Sequence, residues 1–364
     1  MSGIIDRISG NNEMYYGMSD VEVSELKASM EDILKKNPFG LVYNKALTDN
    51  VPGKINIRPV SYQNHQGITI AANLYLPAGY DKSGSYAAIT CTHPNGGVKE
   101  QVAGLFAQRL AENGYITIAF DAAYQGASGG TPRQLDKAYS RVEDIRSAID
   151  FLTTVPGVDT NRIGALGICG GGGYTIETSK TDKRIKAVAT VSMFNSGRVR
   201  KNGFKDADIA GAQGRLKQAS DAREKYARTG EVEYIGTILT KKQNLSQEDL
   251  EKIPAGLYRD GVEYYGMTHF HPNSQTRYAA MGLLDLIPFD AEVNADLINQ
   301  PLLMITGDIS DTRYMTDGVF KNATGTQDKK MVLIEGANHI ETYWKEEFVS
   351  QELAALVEFF GEKL

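Results

Sequence analysis

Two cysteines stand in 364 residues, which excludes the dense disulfide framework of a small secreted scaffold. Long apolar runs are missing too. No stretch approaches the roughly 18 uninterrupted apolar residues that read as a membrane span. The opening residues lack a basic segment running into an apolar one, so the sequence predicts no signal peptide, no membrane partner and a cytoplasmic location. Nor is there a long basic run: 39 Lys and Arg face 45 Asp and Glu, for a formal net charge of −6. A binder of phosphate backbones needs clustered cations, so nucleic acid is not expected as a partner. Internal repeats and low-complexity segments are absent. What is present, 41% hydrophobic and 23% charged residues, excludes disorder over most of the chain.

The texture changes along the chain. Residues 1–52 form an N-terminal arm with helical periodicity over Asp20–Lys36, closed by the turn signals Asp49-Asn50-Val51-Pro52-Gly53. Its use is open between packing on the core and making a homodimer. Ile55–Gln63 and Ile68–Pro77 flank Asn64-His65-Gln66-Gly67, a hairpin signal. Strand-like runs then alternate with helical spacing: Tyr86–His93, Val102 to Leu110, Tyr115–Phe120, Val142 to Leu152, Ile163–Ile168, Gly170–Lys180 and Ile185–Met193. From 196 to 300 the strand signal fades, with helix formers at Gly214–Ala227 and Ser246–Lys252. Leu302–Thr306, Lys330–Ile334 and an amphipathic helix around Val349–Phe360 close the chain. The alternation predicts an α/β fold: a mostly parallel central sheet with helices on both faces. The core spans 53–195 and 301–364, and 196–300 forms an inserted, mostly helical cap.

Chemistry concentrates at Gly167-Ile168-Cys169-Gly170-Gly171. A strand runs through a tight turn into a helix, which is the nucleophile-elbow pattern with Cys for Ser. Small residues two before and two after the nucleophile avoid backbone clashes. The turn sets Cys169 at a helix N-terminus, where partial positive charge favours thiolate. The Gly170 N–H is then placed to hold an oxyanion. A dinucleotide loop would need Gly where Cys169 stands, and Met193-Phe194-Asn195 offers no acid for a ribose. Gly126-Ala127-Ser128-Gly129-Gly130 also matches G-x-S-x-G, but Pro132 follows and no helix starts at Ser128. Cys91, mid-strand in an apolar run, is read as core.

On this pattern the acid and base follow the nucleophile in the chain. Of five histidines, only His339 lies in a loop just beyond a late strand. His65 sits in the hairpin turn. His269 and His271 fall in the cap with no Cys or carboxylate cluster beside them, so no metal site and no cofactor is expected. The acid lies in Gly307–Arg313, as Asp308 or Asp311. The loop Thr92–Gly97 follows the first buried strand, and Asn95 or Gly96 supplies the second oxyanion N–H.

These motifs resemble the dienelactone hydrolase-like branch of the α/β hydrolases. His93–Gln101, Phe120–Gly126 and Gly126–Arg133 are similar to a subgroup that includes fungal polyketide transferases and thiohydrolases. Gly307–Tyr314 aligns with that subgroup's acid loop, which implies Asp311 as the acid, and Gly336-Ala337-Asn338-His339 matches its base segment. The resemblance covers residues 55–364. It implies a Cys169–His339–Asp311 triad that cleaves an activated ester, lactone or thioester through an acyl-cysteine. Acyl transfer to an alcohol or amine is the alternative, and a non-catalytic binder on the same fold is the contrasting class. The expected partner is a small acyl substrate. His93, Tyr124, Tyr264, Tyr265, His271 and Arg313 are its candidate contacts, with Arg259 and Arg277 as further cap cations.

Overall fold

A computed structural model describes residues 18–236 and 242–364 of the chain. Ser19 opens α1 (Asp20–Lys36) with a capping box: its hydroxyl accepts from Glu22 N–H, and the Glu22 carboxylate accepts from Ser19 N–H. Leu26 and Met30 are its buried face. The arm beyond it packs on the core. Leu41 and Tyr43 join the main apolar cluster, and the Tyr43 hydroxyl bonds those of Tyr75 and the amide of Gln108.

Eight strands form the central sheet in the order β1-β2-β4-β3-β5-β6-β9-β10. They are β1 (Asn56–Gln63), β2 (Thr69–Leu76), β3 (Tyr86–Thr92), β4 (Ile116–Phe120), β5 (Val158–Ile168), β6 (Ile185–Val191), β9 (Leu302–Gly307) and β10 (Lys329–Ile334). β1 and β2 form the antiparallel hairpin, β2 meets β4 antiparallel, and every later pairing is parallel. The parallel strands read as continuous apolar runs because helices cover both faces. Ala165, Leu166, Val188, Ala189, Met304 and Ile305 are all inaccessible to solvent. Those helices include α2 (Val102–Glu112), α3 (Ala138–Thr153) and α4 (Gly170–Thr181).

Between β6 and β9 the chain builds α5 (Ser196–Asn202), α6 (Ala212–Thr229) and α7 (Leu257–Gly261), which runs on into a wider turn over Val262–Thr268. Beyond the helices expected there, a two-residue ribbon pairs β7 (Tyr234–Ile235) with β8 (Tyr278–Ala279). The chain then adds α8 (Arg313–Asn322) after β9 and ends in α9 (Glu346–Lys363). No helix among the described residues is long and apolar enough to cross a membrane.

Candidate active site

β5 ends at Ile168 and α4 begins at Gly170, leaving Cys169 alone at φ 54°, ψ −123°. A residue with a side chain is held in that left-handed region at a cost of about 1–3 kcal/mol. The surroundings over-determine it. Cys169 N–H donates to Val191 O at 3.0 Å, while its carbonyl accepts from Phe194 N–H at 2.8 Å and Gly172 N–H at 2.9 Å. The neighbouring glycines are a steric requirement. A methyl on Gly167 would meet Gly171 and Thr175, and one on Gly171 would meet the carbonyls of Thr92 and His93.

The loop after β3 faces this elbow. The backbone N–H groups of Asn95 and Gly170 both point at the Cys169 sulfur. Of Asn95 and Gly96, it is Asn95 whose N–H faces the sulfur. Gly96 turns its carbonyl away, to accept from Ser274 Oγ at 2.6 Å. The Asn95 amide donates to Ser196 Oγ at 2.8 Å. Below the loop, His93 Nδ1 donates to Pro94 O at 2.6 Å and Nε2 accepts from Ala122 N–H at 3.0 Å. Burial and the adjacent Arg141 hold its pKa down near about 3, so it stays neutral. Arg141, buried over the Tyr174 ring, donates to His93 O at 3.0 Å and ties the loop to α3.

His339 is fully buried in the loop after β10. Its Nε2 lies 2.9 Å from the Tyr343 hydroxyl, and that hydroxyl is near enough to the Cys169 sulfur to pull the thiol pKa down. Its Nδ1 lies 2.5 Å from Thr312 Oγ1, which contacts Ser310 Oγ at 2.9 Å. The order is Cys169, Tyr343, His339, Thr312, Ser310. Two sequence expectations are corrected here. Asp311 does not touch His339: its Oδ2 accepts from Leu257 N–H at 3.0 Å and its buried Oδ1 has no partner. Asp308 accepts from Gly336 N–H at 2.8 Å and clips the two loops together. Thr312, at the N-cap of α8, takes the imidazole. Asp311, one residue earlier, faces the cap.

Electrostatics corrects a third expectation. The helix N-terminus does not leave Cys169 as a resting thiolate. Burial pushes the thiol above its ordinary range, although Tyr343, the two N–H groups and Arg141 all pull the other way. Burial also pushes His339 down to about 3, because no carboxylate beside it offsets the loss of water. The resting pair is thiol and neutral imidazole.

Cys169 opens into a cavity of about 380 Å³, within the range of small-ligand sites. Phe194 just after β6 and Ile340 and Tyr343 after β10 line one side, and Leu257, Tyr258, Val262, Tyr265 and Tyr278 line it from the segment 196–300.

The chain resembles known proteins in sequence and in fold. A dienelactone hydrolase family model matches residues 70–204. The uncharacterized protein YcjY of Escherichia coli is 38% identical over 304 residues, which is 83% of this chain and 96% of YcjY. The chain belongs to the dienelactone hydrolase family. The crystal structure of the hypothetical protein PA2218 from Pseudomonas aeruginosa superposes with a TM-score of 0.75 at 30% identity, covering 89% of this chain and 99% of that one. The thiohydrolase aneE of Aspergillus aculeatus is 30% identical over 132 residues, 36% of this chain and 40% of its own. The family and the fold make this protein an α/β hydrolase, a hydrolytic enzyme.

Within this dienelactone hydrolase family member, the candidate substrate contacts separate. Tyr265 lines the cavity. Tyr264 stands behind it, stacked on His269 at 4.5 Å and edge-on to Tyr343 at 5.4 Å, so it braces the relay without reaching substrate. His93 lies under the oxyanion loop and not in the cavity. Tyr124 borders a different surface cleft, with Thr131, Lys137 and Asp285. His271 borders a small separate cavity under α1 with Lys99 and Glu100. Arg313 pairs with Asp317 at 3.4 Å. Arg259 is spent on the carbonyls of Ile253 and Glu251, and Arg277 on Gln275 and the Tyr234 ring. Ser128 is buried between Ala71 N–H and Asp121 O, away from any helix start. The residues that sequence reasoning missed are Tyr343, Thr312, Arg141 and Arg200. Tyr343 follows His339 by four positions, a helical-turn spacing that was a readable signal.

Proposed function

We propose that the protein hydrolyses an activated carboxylic ester or thioester through an acyl-Cys169 intermediate. The observation that carries this reading is the Cys169 sulfur itself. It is held on a strained elbow at the cavity wall, faced by two backbone N–H groups and linked through the Tyr343 hydroxyl to His339.

In the proton arrangement that leaves His339 Nε2 as the acceptor, the phenol donates to Nε2, His339 Nδ1–H donates to Thr312 Oγ1, and the thiol proton faces Tyr343 Oη. Attack reverses nothing but the protons. As Sγ bonds to the carbonyl carbon, its proton passes to Tyr343 Oη and the phenol proton passes to Nε2. The carbonyl π electrons move onto oxygen, to which the N–H groups of Asn95 and Gly170 donate hydrogen bonds. Collapse of the adduct breaks the bond to the leaving alkoxide or thiolate, which takes the proton from His339 through the same hydroxyl. Water then adds to the acyl-cysteine thioester, loses its proton to His339 by the same route, and releases the acid and the thiol.

A thiolate leaves as readily as it attacks, so a poor leaving group returns to substrate. Aryl esters, enol lactones and thioesters are therefore favoured over peptides. The thiohydrolase among the relatives is consistent with thioester cleavage. Asp311 carries the acid position of the family motif. In the arrangement seen here it anchors α7, and Thr312 orients the imidazole.

Steady-state release from 4-nitrophenyl hexanoate and from a hexanoyl thioester tests the reading, with Cys169→Ala in parallel. Turnover lost in the variant supports it, whereas equal rates overturn it. Partition of the product between acid and ester in added alcohol distinguishes hydrolysis from acyl transfer.

A further inference from the structure

The segment 191–194, at the end of β6, grips the nucleophile elbow from both sides. Val191 O accepts from Cys169 N–H at 3.0 Å, and Phe194 N–H donates to Cys169 O at 2.8 Å. Between them stands Ser192, fully buried at φ 44°. That left-handed conformation is costly for a residue with a side chain, whereas glycine adopts it freely. A serine held there against strain calls for a use of its hydroxyl. Ser192 Oγ lies 2.9 Å from Thr342 Oγ1, and Thr342 Oγ1 donates to His339 O at 2.6 Å. These hydroxyls run in one direction. A carbonyl only accepts, so the Thr342 proton goes to His339 O, and the proton between the two hydroxyls comes from Ser192.

Thr342 is also fully buried, and its short turn, Glu341–Tyr343, follows directly on the loop of His339. One anchor therefore ties the backbone that carries both imidazole and phenol to the strand end that grips Cys169. From the same segment the Phe194 ring meets the His339 ring edge-on, with centroids 6.2 Å apart. Thr312 fixes the imidazole through Nδ1, but it has no hold on where the Tyr343 turn stands. We propose that Ser192 is a positioning residue: through Thr342 it holds the His339–Tyr343 turn at a set distance from the Cys169 elbow, and so fixes the spacing of sulfur, phenol and imidazole. The proposal rests on the acyl-cysteine reading for what that spacing serves, but the brace can be read without turnover. Of the groups that pull the thiol pKa down, only Tyr343 rides on this turn. The N–H groups of Gly170 and Asn95 and the Arg141 guanidinium belong to other elements, and the Tyr265 phenol interacts with the sulfur from the segment 196–300. A turn that drifts away from the elbow leaves the thiol harder to ionise.

The test combines the pH profile of Cys169 alkylation by iodoacetamide, located by peptide mapping, with kcat and KM for 4-nitrophenyl hexanoate. Ser192→Gly suits the backbone and removes only the hydroxyl, so its thermal midpoint should stay near that of the wild type. Its kcat should fall by about 10- to 100-fold, the scale of a misplacement near 1 Å, with KM little changed and the alkylation profile moved to higher pH. Thr342→Val should behave alike, and Thr342→Ser, which keeps both hydrogen bonds, should recover most of the lost kcat. Because the two residues act through one chain, Ser192→Gly with Thr342→Val should be no worse than Thr342→Val alone. A wild-type kcat and alkylation profile in either folded single variant overturns the proposal. So does a kcat loss that follows a fall in thermal midpoint while the profile stays put, and so do losses that add in the double variant. If wild-type Cys169 is alkylated but turns over no ester, a shifted profile in the variants keeps the brace and removes the acyl chemistry. Turnover on Cys169 with an unshifted profile does the reverse.

Discussion

The Tyr343 hydroxyl lies 2.9 Å from His339 Nε2 and stands near enough to the Cys169 sulfur to pull the thiol pKa down. The proposed base and nucleophile thus flank a phenol, itself packed against the edge-on ring of Tyr264. Burial keeps this phenol protonated, since its pKa stands well above the ordinary range. It can therefore move a proton only by giving one while taking another, which is the concerted transfer described above.

Tyr343→Phe keeps the ring and removes the relay. The expected loss in kcat/KM toward 4-nitrophenyl hexanoate is about 100-fold or more, the usual scale for a lost proton-transfer partner. Stopped-flow measurement of nitrophenol release checks it. A change under about threefold would mean that His339 reaches the sulfur without the phenol.

Thr312 and Asp311 compete for the role of orienting His339. The contact at Nδ1 predicts that Thr312→Val lowers kcat, because the neutral imidazole loses the group that fixes its tautomer. Asp311→Asn should act mainly through α7, weakening the bond to Leu257 N–H and raising KM. Steady-state kinetics of both variants decides the matter. A collapse of kcat in Asp311→Asn alone would place the carboxylate on His339 during turnover.

Most of the framework was legible in the sequence because it rests on local rules. Gly167, Gly170 and Gly171 around Cys169 announced the elbow, and the continuous apolar runs at Ile163–Ile168 and Leu302–Thr306 announced buried parallel strands. What could not be read depends on where side chains point after folding. Thr312 and Asp311 are adjacent, and only the start of α8 decides which one faces the imidazole. His93 and His271 look like site histidines by type, yet both are buried in the scaffold. Arg200 was passed over for Arg259, Arg277 and Arg313, since which of these side chains lines the cavity is a property of the tertiary structure alone.

Glu352 on α9 is fully buried with neither carboxylate oxygen bonded, and burial raises its pKa well above the ordinary value. Below about pH 4 the group is neutral in both the folded and the unfolded chain, and it costs no ionisation energy. As pH rises, the unfolded chain ionises and the folded one does not, so stability is lost progressively up to the folded-state pKa. Glu352→Gln removes this effect. Thermal melts should show a variant advantage that grows from pH 4 to pH 8. A constant gap would contradict it.

Two glycine substitutions separate crowding from propensity. Gly171→Ala forces a methyl against the Thr92 and His93 carbonyls and should cost about 1–3 kcal/mol as well as activity. Gly214→Ala, in α6 with open space at the added methyl, should stabilise by about 0.5–1 kcal/mol. Urea denaturation of both proteins checks the contrast. Equal effects would mean that the elbow is less tightly packed than described.

The central claim is that Cys169 carries the acyl group. Brief exposure to 4-nitrophenyl hexanoate, an acid quench and intact-protein mass spectrometry with peptide mapping test it most directly. The account predicts one hexanoyl increment, located on the peptide containing Cys169 and absent from Cys169→Ala. A hexanoyl group on any other residue, or an increment that persists in Cys169→Ala, would contradict it.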